Sequence, residues 1–417
     1  MSRTPISVSS SLPSRSISPT KIFSYVKGRQ GPIRDRPGTS YCATLMHHVK
    51  GNIGTGIFAM GDAMKNGGLV MGPAGLTFLG FLNLYCQHQL VQAADQVAFN
   101  HDYNVKPDYA ETVMVGFMDG PERTRNLCFF MKRLVNTFLI ITEMGFCCVY
   151  LVFIGESLEK ILAIYGIHDF STRLLILFTV LPIWLLTLMN NLRVLVPASL
   201  VANIFTFAGL LITLYYNFVD IPDPWRLPLI ADWHKIPLFF GTAIFSFEAI
   251  GLVLPMYNEM KNPKHFNTWY GVMNIGMTYV IVMNTVVGAS SYIRWGEDIK
   301  ASVTLNLPAE VEIKFGPFRF QYWVEVLFKT FLSAIAYILA ETIPYLGEFI
   351  SLVGAIGGTS LALVFPPLLE LVTFYETIGC FGIFKNIVIL AIGFTGIVTG
   401  TYAACNEIFL KFMESLH

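Results

Sequence analysis

Long apolar runs separated by short polar segments make up most of this chain. The run Leu134–Ile154, for example, holds 21 residues and a single charged one, Glu143. A helix needs about 20 mainly apolar residues to cross the hydrocarbon core of a bilayer, and it satisfies its own backbone polar groups there. The pattern therefore predicts a bundle of transmembrane helices. Ten segments meet the requirement: 41–64, 69–93, 130–154, 172–190, 193–217, 236–257, 268–293, 322–341, 345–373 and 384–410.

Composition supports the same fold class. Of the 417 residues, 54% are hydrophobic and 13% are charged, whereas an ordinary soluble domain has about 25% charged residues. The charged residues are too few to cover a soluble fold, so we predict an all-α polytopic membrane protein that contacts the lipid bilayer. The formal net charge of zero gives no indication of a nucleic-acid partner.

Residues 1–40 differ from the rest of the chain. They contain Ser, Pro and Arg without the apolar core that a signal peptide has, so we expect a disordered tail ahead of a membrane domain at 41–417. Because positive charge is enriched on the cytoplasmic side of membrane proteins, we expect this tail in the cytoplasm. A Ser- and Arg-rich start also occurs in organellar transit peptides, and this alternative stays open. The charged residues of the tail are Arg3, Arg15, Lys21, Lys27, Arg29, Arg34 and Arg36 against Asp35 alone.

Two of the predicted spans carry residues that interrupt helices. The first span contains Gly-Asn-Ile-Gly-Thr-Gly at 51–56, and each interior glycine costs about 1 kcal/mol in a helix relative to alanine. Five spans later, residues 245–251 combine Ser, Glu and Gly, and Pro255 follows. Paired broken helices at matching positions of two halves are typical of transporters built from inverted repeats. The alternative is that the glycines only allow close helix packing.

A few ionisable residues lie within the predicted spans, where they are functional candidates by default. His47 and His48 lie near the start of the first span, and a histidine there could couple proton entry to binding or simply contact lipid headgroups. Glu143 and Glu248 lie deeper. We find no catalytic motif and no metal-ligand spacing among the seven Cys. The sequence thus favours binding and translocation over enzyme chemistry, with no cofactor and no metal.

Five strings of the sequence resemble one known family, the proton-coupled amino-acid transporters. This family belongs to the amino acid/auxin permease group of the amino acid–polyamine–organocation superfamily. The resemblance runs from about Tyr41 to the C-terminus. The matching strings are HHVKGNIGTGIF at 47–58, KNGGLVMGP at 65–73, EMGFCCVYLVF at 143–153, FEAIGLVLPMYNEMK at 247–261 and FISLVGAIGGTSLALVFPPLLELVTFY at 349–375.

The resemblance implies a LeuT-type fold of eleven helices with a five-plus-five inverted repeat, which transports small neutral amino acids, often with a proton. It implies that His47 is the proton-coupling residue. It also assigns substrate binding to an unwound segment and to the matching part of the sixth span. The residues concerned are Gly54, Thr55 and Gly56 in the first span and Phe247, Glu248 and Gly251 in the sixth.

Three departures from the family pattern stand out. Glu143 replaces an uncharged polar residue, and the loops near 155–170 and 218–235 lack the Cys of an extracellular disulfide. The third departure is a missing helix, since only 309–314 separate the two strings that should flank the eighth span. About ten of eleven helices then remain. Losing one crossing means that either the last three spans invert or another segment fails to insert.

Three functions therefore stay open at the level of sequence. The first is an amino-acid transporter of the plasma membrane or of the lysosomal or late endosomal membrane, which carries small neutral amino acids together with protons. The second is a transport-inactive splice or gene-model variant. The third is a nutrient-sensing receptor that uses the same fold and pocket without transport.

Overall fold

The computed structural model of the protein describes residues 38–103, 105–164, 172–187, 192–219, 221–247, 249–307 and 346–415. Over these ranges the regular structure is helical, apart from an isolated bridge between Thr39 and Met260. Nine of the ten predicted spans coincide with helices. The tenth, 322–341, and the expected gap at the eighth span lie outside the described residues, as does most of the predicted tail.

The helices are labelled here in chain order. They are α1 (Tyr41–Asn52), α2 (Gly56–Gly67), α3 (Met71–Asn100), α4 (Tyr109–Asp119), α5 (Cys128–Ile164), α6 (Thr172–Thr187), α7 (Leu192–Phe218), α8 (Ile236–Phe245), α9 (Ile250–Glu259), α10 (Val272–Trp295), α11 (Leu346–Val353), α12 (Phe365–Thr373) and α13 (Cys380–Ser415). Two π-helical segments, Gly354–Gly358 and Ser360–Val364, join α11 to α12. Short helical turns lie at Glu122–Arg125, Pro224–Arg226, Pro263–His265, Gly296–Asp298 and Val303–Asn306.

Length and apolar composition confirm a polytopic membrane bundle. Within the described residues, five helical stretches are long and apolar enough to cross a bilayer: Cys128–Ala163, Ile236–Glu259, Val272–Asp298, Leu346–Thr373 and Cys380–Lys411. The last of these leaves large apolar side chains exposed, among them Phe381, Phe384 and Tyr402. In water such a surface would be a liability, whereas against lipid tails it is the expected one.

The bundle has two ends, which we name by the residues found there. The tail face carries Thr39, which is bonded to the segment after α9. The far face carries Lys65, which donates a hydrogen bond of 2.8 Å to the carbonyl of Glu297. Gly347, at the start of α11, packs against Ala301 on this far face. The described residues just before 308 and just after 345 therefore lie at the same face.

This placement tests the expectation that the last spans are inverted. Inversion of the last spans would have put the start of α11 at the tail face, so the inversion expectation is wrong for α11, α12 and α13. The backbone of the π-helical segment that follows α11 packs closely against the backbone of α8. A side chain on Gly354 would begin 2.0 Å from the carbonyl oxygen of Gly241 in α8, so only glycine allows the π-helical segment to cross α8 this closely.

Candidate functional site

Two interrupted helices meet side by side in the middle of the bundle. α1 ends at Asn52 and α2 begins at Gly56, with Ile53 in a non-helical conformation (φ −92°, ψ 86°). The second interruption separates α8 from α9. Both predicted breaks are thus confirmed. The two pairs run in opposite directions, because α1 and α9 both reach the tail face while α2 and α8 both reach the far face.

The breaks touch each other through glycine. An ideal β-carbon on Gly56 would lie 3.0 Å from the α-carbon of Ser246, and one on Gly51 would lie 3.5 Å from the β-carbon of Ala249. Helix ends leave backbone N–H and C=O groups without helical partners, and the helix dipole adds partial charge to them. The start of α2 therefore favours an anion, and the end of α8 favours a cation, within one small volume.

Buried amides from neighbouring helices support the second break. Asn83 of α3 donates a hydrogen bond of 2.8 Å to the carbonyl of Phe247. Asn284 of α10 donates one of 3.3 Å to the hydroxyl of Ser246, which itself donates to the carbonyl of Ala243 at 2.8 Å. Both Asn side chains are fully buried. Sequence reasoning missed them, and the available signal was the presence of amide side chains within otherwise apolar runs.

A cavity of about 580 Å³ opens at these breaks. One wall consists of α1 and α9, and the opposite wall consists of α5 with Leu361 of the π-helical segment. From α5 come five side chains on one helical face: Leu139, Thr142, Glu143, Phe146 and Tyr150. The hydroxyl of Tyr150 lies only 2.6 Å from where a β-carbon on Gly54 would be. Tyr150 thus marks the level of the unwound segment along α5.

Among the described residues, the lining of the cavity reaches the tail face. Thr39 and Glu259, both at the tail face, line its mouth. On the far side, the rings of Phe146 and Phe245 lie 4.8 Å apart between centroids. Phe245 continues into a buried apolar cluster from α2, α5, α6 and α11. This cluster separates the cavity from the far face.

A backbone pairing joins the two helices on one wall of the mouth. The N–H of Thr39 donates to the carbonyl of Glu259 at 2.8 Å, and the N–H of Lys261 donates to the carbonyl of Thr39 at 3.0 Å. We call this pairing the Thr39 bridge. It ties α1 to α9 at their tail-face ends, while the breaks in contact tie them at their other ends.

The structure brings most of the predicted site residues together. His47, Gly54, Thr55, Gly56 and Gly251 all line the cavity.

The side chain of Phe247 does not line the cavity. It is fully buried, and its ring lies 3.0 Å from where a β-carbon on Gly80 of α3 would be. Glu248 lies outside the described residues. His48 is also fully buried, with its ring against Phe266 and beside Gly276, and neither ring nitrogen has a hydrogen-bond partner within the described part of the chain.

Among the described residues, the basic and acidic side chains that line the cavity are His47, Lys50, Glu143 and Glu259. In the described ranges, no group of three or more His, Cys, Asp or Glu has an arrangement that could hold a metal ion. Because the helix ends at the breaks and these side chains offer partners for both signs of charge, the cavity can bind a small molecule that carries one positive and one negative group.

Comparison with known proteins agrees with this geometry. Residues 37–318 and 309–406 match the family model described as transmembrane amino acid transporter protein. The chain is 31% identical to the Drosophila melanogaster protein named proton-coupled amino acid transporter-like protein pathetic, over 90% of this chain and 87% of that protein. It is 26% identical to the probable amino acid transporter skat-1 of Caenorhabditis elegans, over 92% of this chain and 94% of that protein.

Proposed function

Because the chain belongs to the transmembrane amino acid transporter protein family, we propose that it carries small neutral amino acids across a membrane together with protons. The observation that carries the proposal is the pair of antiparallel broken helices that meet at one cavity. Transporters with inverted repeats place their substrate at such a meeting point. No bond of the substrate is made or broken in this function.

The amino acid fits the charges of the two breaks. Its carboxylate binds the backbone N–H groups of Gly54, Thr55 and Gly56 at the start of α2, where the helix dipole favours an anion. Its ammonium group faces the carbonyl end of α8 and the backbone near Gly251. Phe146 and Tyr150 lie close to this point and limit the size of the side chain that fits beside the unwound segment.

The proton belongs to His47 in this proposal. His47 is exposed on the wall of the cavity near the mouth, and histidine changes charge near neutral pH. The Drosophila relative is named as proton-coupled. Protonated His47 adds positive charge to the wall that carries Lys50, so proton and substrate can influence each other's binding.

The geometry also supports alternating access. The cavity is open at the tail face and closed at the far face by the apolar cluster around Phe245. Transport requires the opposite state, in which the tail-face mouth closes and this cluster parts. The Thr39 bridge makes α1 and α9 the natural moving wall, with the glycine-containing breaks as hinges.

We place the tail face in the cytoplasm, since the seven basic residues of 1–40 favour that side. The membrane is the plasma membrane or that of lysosomes and late endosomes. Antibody access to an N-terminal tag in intact and permeabilised cells tests the orientation. Co-localisation with markers of the two compartments tests the membrane.

Uptake into proteoliposomes tests the function. The purified chain, with radiolabelled glycine, alanine and proline offered in turn, should take up substrate faster when the outside is acidic than when the pH is equal on both sides. Substrate binding without uptake would favour the nutrient-sensing receptor. Neither binding nor uptake by correctly inserted protein would favour the transport-inactive variant.

A further inference from the structure

Glu143 is a carboxylate on the cavity wall that the proposed function leaves without a role. It lies within the apolar helix α5 and lines the cavity. Its carboxylate has no hydrogen bond or ion pair with any of the residues that the structure describes. Glu143 is exposed on the cavity wall, and ionisable residues of membrane helices that face such a cavity mark substrate or ion pathways. Glu143 therefore points to a cation that the cavity receives.

The distance between Glu143 and the breaks determines how far the cationic group must lie from the substrate carboxylate. Glu143 and Tyr150 are seven residues apart on the same face of α5, which corresponds to about 10.5 Å along the helix. Tyr150 lies beside Gly54 at the unwound segment. Glu143 therefore lies two turns nearer the tail-face mouth than the place where a substrate carboxylate would bind.

The charge of the lining supports the same conclusion. Among the described lining residues, there is one lysine, Lys50, and there are two carboxylates, Glu143 and Glu259, and His47 adds a positive charge only when protonated. A zwitterionic amino acid leaves this balance negative. A neutral amino acid with a proton, or a cationic amino acid without one, each supplies the missing positive charge.

We propose that this cavity also accepts amino acids with a cationic side chain, and that Glu143 binds the side-chain ammonium group. The substrate carboxylate stays at the start of α2, and a flexible stem of three or four carbons reaches down α5 to Glu143. The inference rests on the proposed function, because it uses the same carboxylate site. It extends the substrate class from small neutral amino acids to lysine and ornithine.

The test compares lysine with glycine in proteoliposomes that contain the wild type or Glu143→Gln. The wild type should take up both, and Glu143→Gln should lose lysine uptake at least tenfold while it keeps glycine uptake within about twofold. Glu376→Gln is the matched control, because Glu376 lies in the loop after α12 and outside the cavity. This control should leave the uptake of both lysine and glycine unchanged.

A series of diamino acids tests the distance. Uptake of the wild type should rise from 2,3-diaminopropionate through 2,4-diaminobutyrate to ornithine and lysine, since only the longer stems span the two turns of α5. Glu143→Asp shortens the partner by one methylene group and should shift the preference further toward lysine. Lysine uptake should also respond less than glycine uptake to an acidic outside, because lysine brings its own charge.

The outcomes separate this inference from the proposed function. Glycine uptake without lysine uptake by the wild type overturns the role of Glu143 and leaves the transporter intact. Equal loss of both substrates in Glu143→Gln overturns it as well, since it shows a structural role. If the wild type transports neither substrate, the proposed function fails together with the inference.

Discussion

The contact between the two breaks makes a quantitative prediction for Gly56→Ala. The added β-carbon would lie 3.0 Å from the α-carbon of Ser246 and 3.4 Å from the ring of Phe245. Carbon atoms prefer about 3.5–4.0 Å, so the breaks must separate by about 0.5 Å. The nearest atom belongs to the backbone and cannot rotate away. Overpacking of this kind costs about 1–3 kcal/mol, and each 1.4 kcal/mol is about tenfold in an equilibrium constant.

We expect Gly56→Ala to lower initial glycine uptake in proteoliposomes by about tenfold or more at subsaturating substrate. Gly209→Ala is the matched control, because it adds the same methyl group to α7, where no atom of the described chain beyond the neighbouring helix backbone lies within 4 Å. This control should transport normally and should be no less stable, since alanine favours helix. Thermal unfolding in detergent and monodispersity of both variants show whether each is folded.

A second variant makes the reasoning refutable even if Gly56→Ala folds poorly. Ser246→Gly removes the β-carbon that would lie 3.2 Å from the new methyl group but leaves the α-carbon in place. In the double variant uptake should therefore recover only in part. Normal transport by Gly56→Ala alone would show that the contact between the breaks does not govern substrate binding or movement.

Three further predictions concern neighbouring parts of the site. His47→Ala should abolish the stimulation of uptake by an acidic outside. His48→Ala should keep this stimulation but lower the free energy of unfolding by about 2 kcal/mol, because it truncates a buried side chain. Equal pH profiles for the two variants would remove His47 from the proton role. Asn83→Ala should destabilise the protein by about 1–3 kcal/mol, because the carbonyl of Phe247 loses its buried donor, and an unchanged melting temperature would contradict this. Thr39→Pro removes the N–H of the Thr39 bridge and should slow uptake severalfold, while Thr39→Val keeps that N–H and should slow it less; equal rates for the two variants would count against a moving wall of α1 and α9.

The helices and their interruptions were predictable from the sequence because the bilayer imposes a length. Apolar runs such as 130–154 and 268–293 coincide with α5 and α10. Glycine-rich breaks were visible for the same reason, since helix-breaking residues stand out in an otherwise uniform apolar run. Nine of the ten predicted spans and the two breaks therefore followed from local pattern alone.

The directions of the side chains were not predictable in this way. Lipid and protein interior are both apolar, so an apolar helix shows no stripe that tells its packed face from its lipid face. The family resemblance assigned Phe247 to substrate binding, whereas in the structure its ring packs against α3 and its carbonyl accepts a hydrogen bond from Asn83. Only the three-dimensional arrangement distinguishes a side chain that binds substrate from one that holds the break in place.

The Thr39 bridge was also invisible in the sequence, because it joins backbone groups that lie more than 200 residues apart and have no side-chain signature. Its position relates the charged residues of the cavity to the two walls on which they lie. His47 and Lys50 belong to the wall that the bridge makes rigid, and Glu143 belongs to the opposite wall. Closing the tail-face mouth would bring these charges together and remove water, and electrostatic interactions strengthen as water leaves. In the proposed mechanism, closure would pair Glu143 either with the positive charges of that wall or with a cationic occupant, so the charge of the substrate and the movement of α1 with α9 would be coupled.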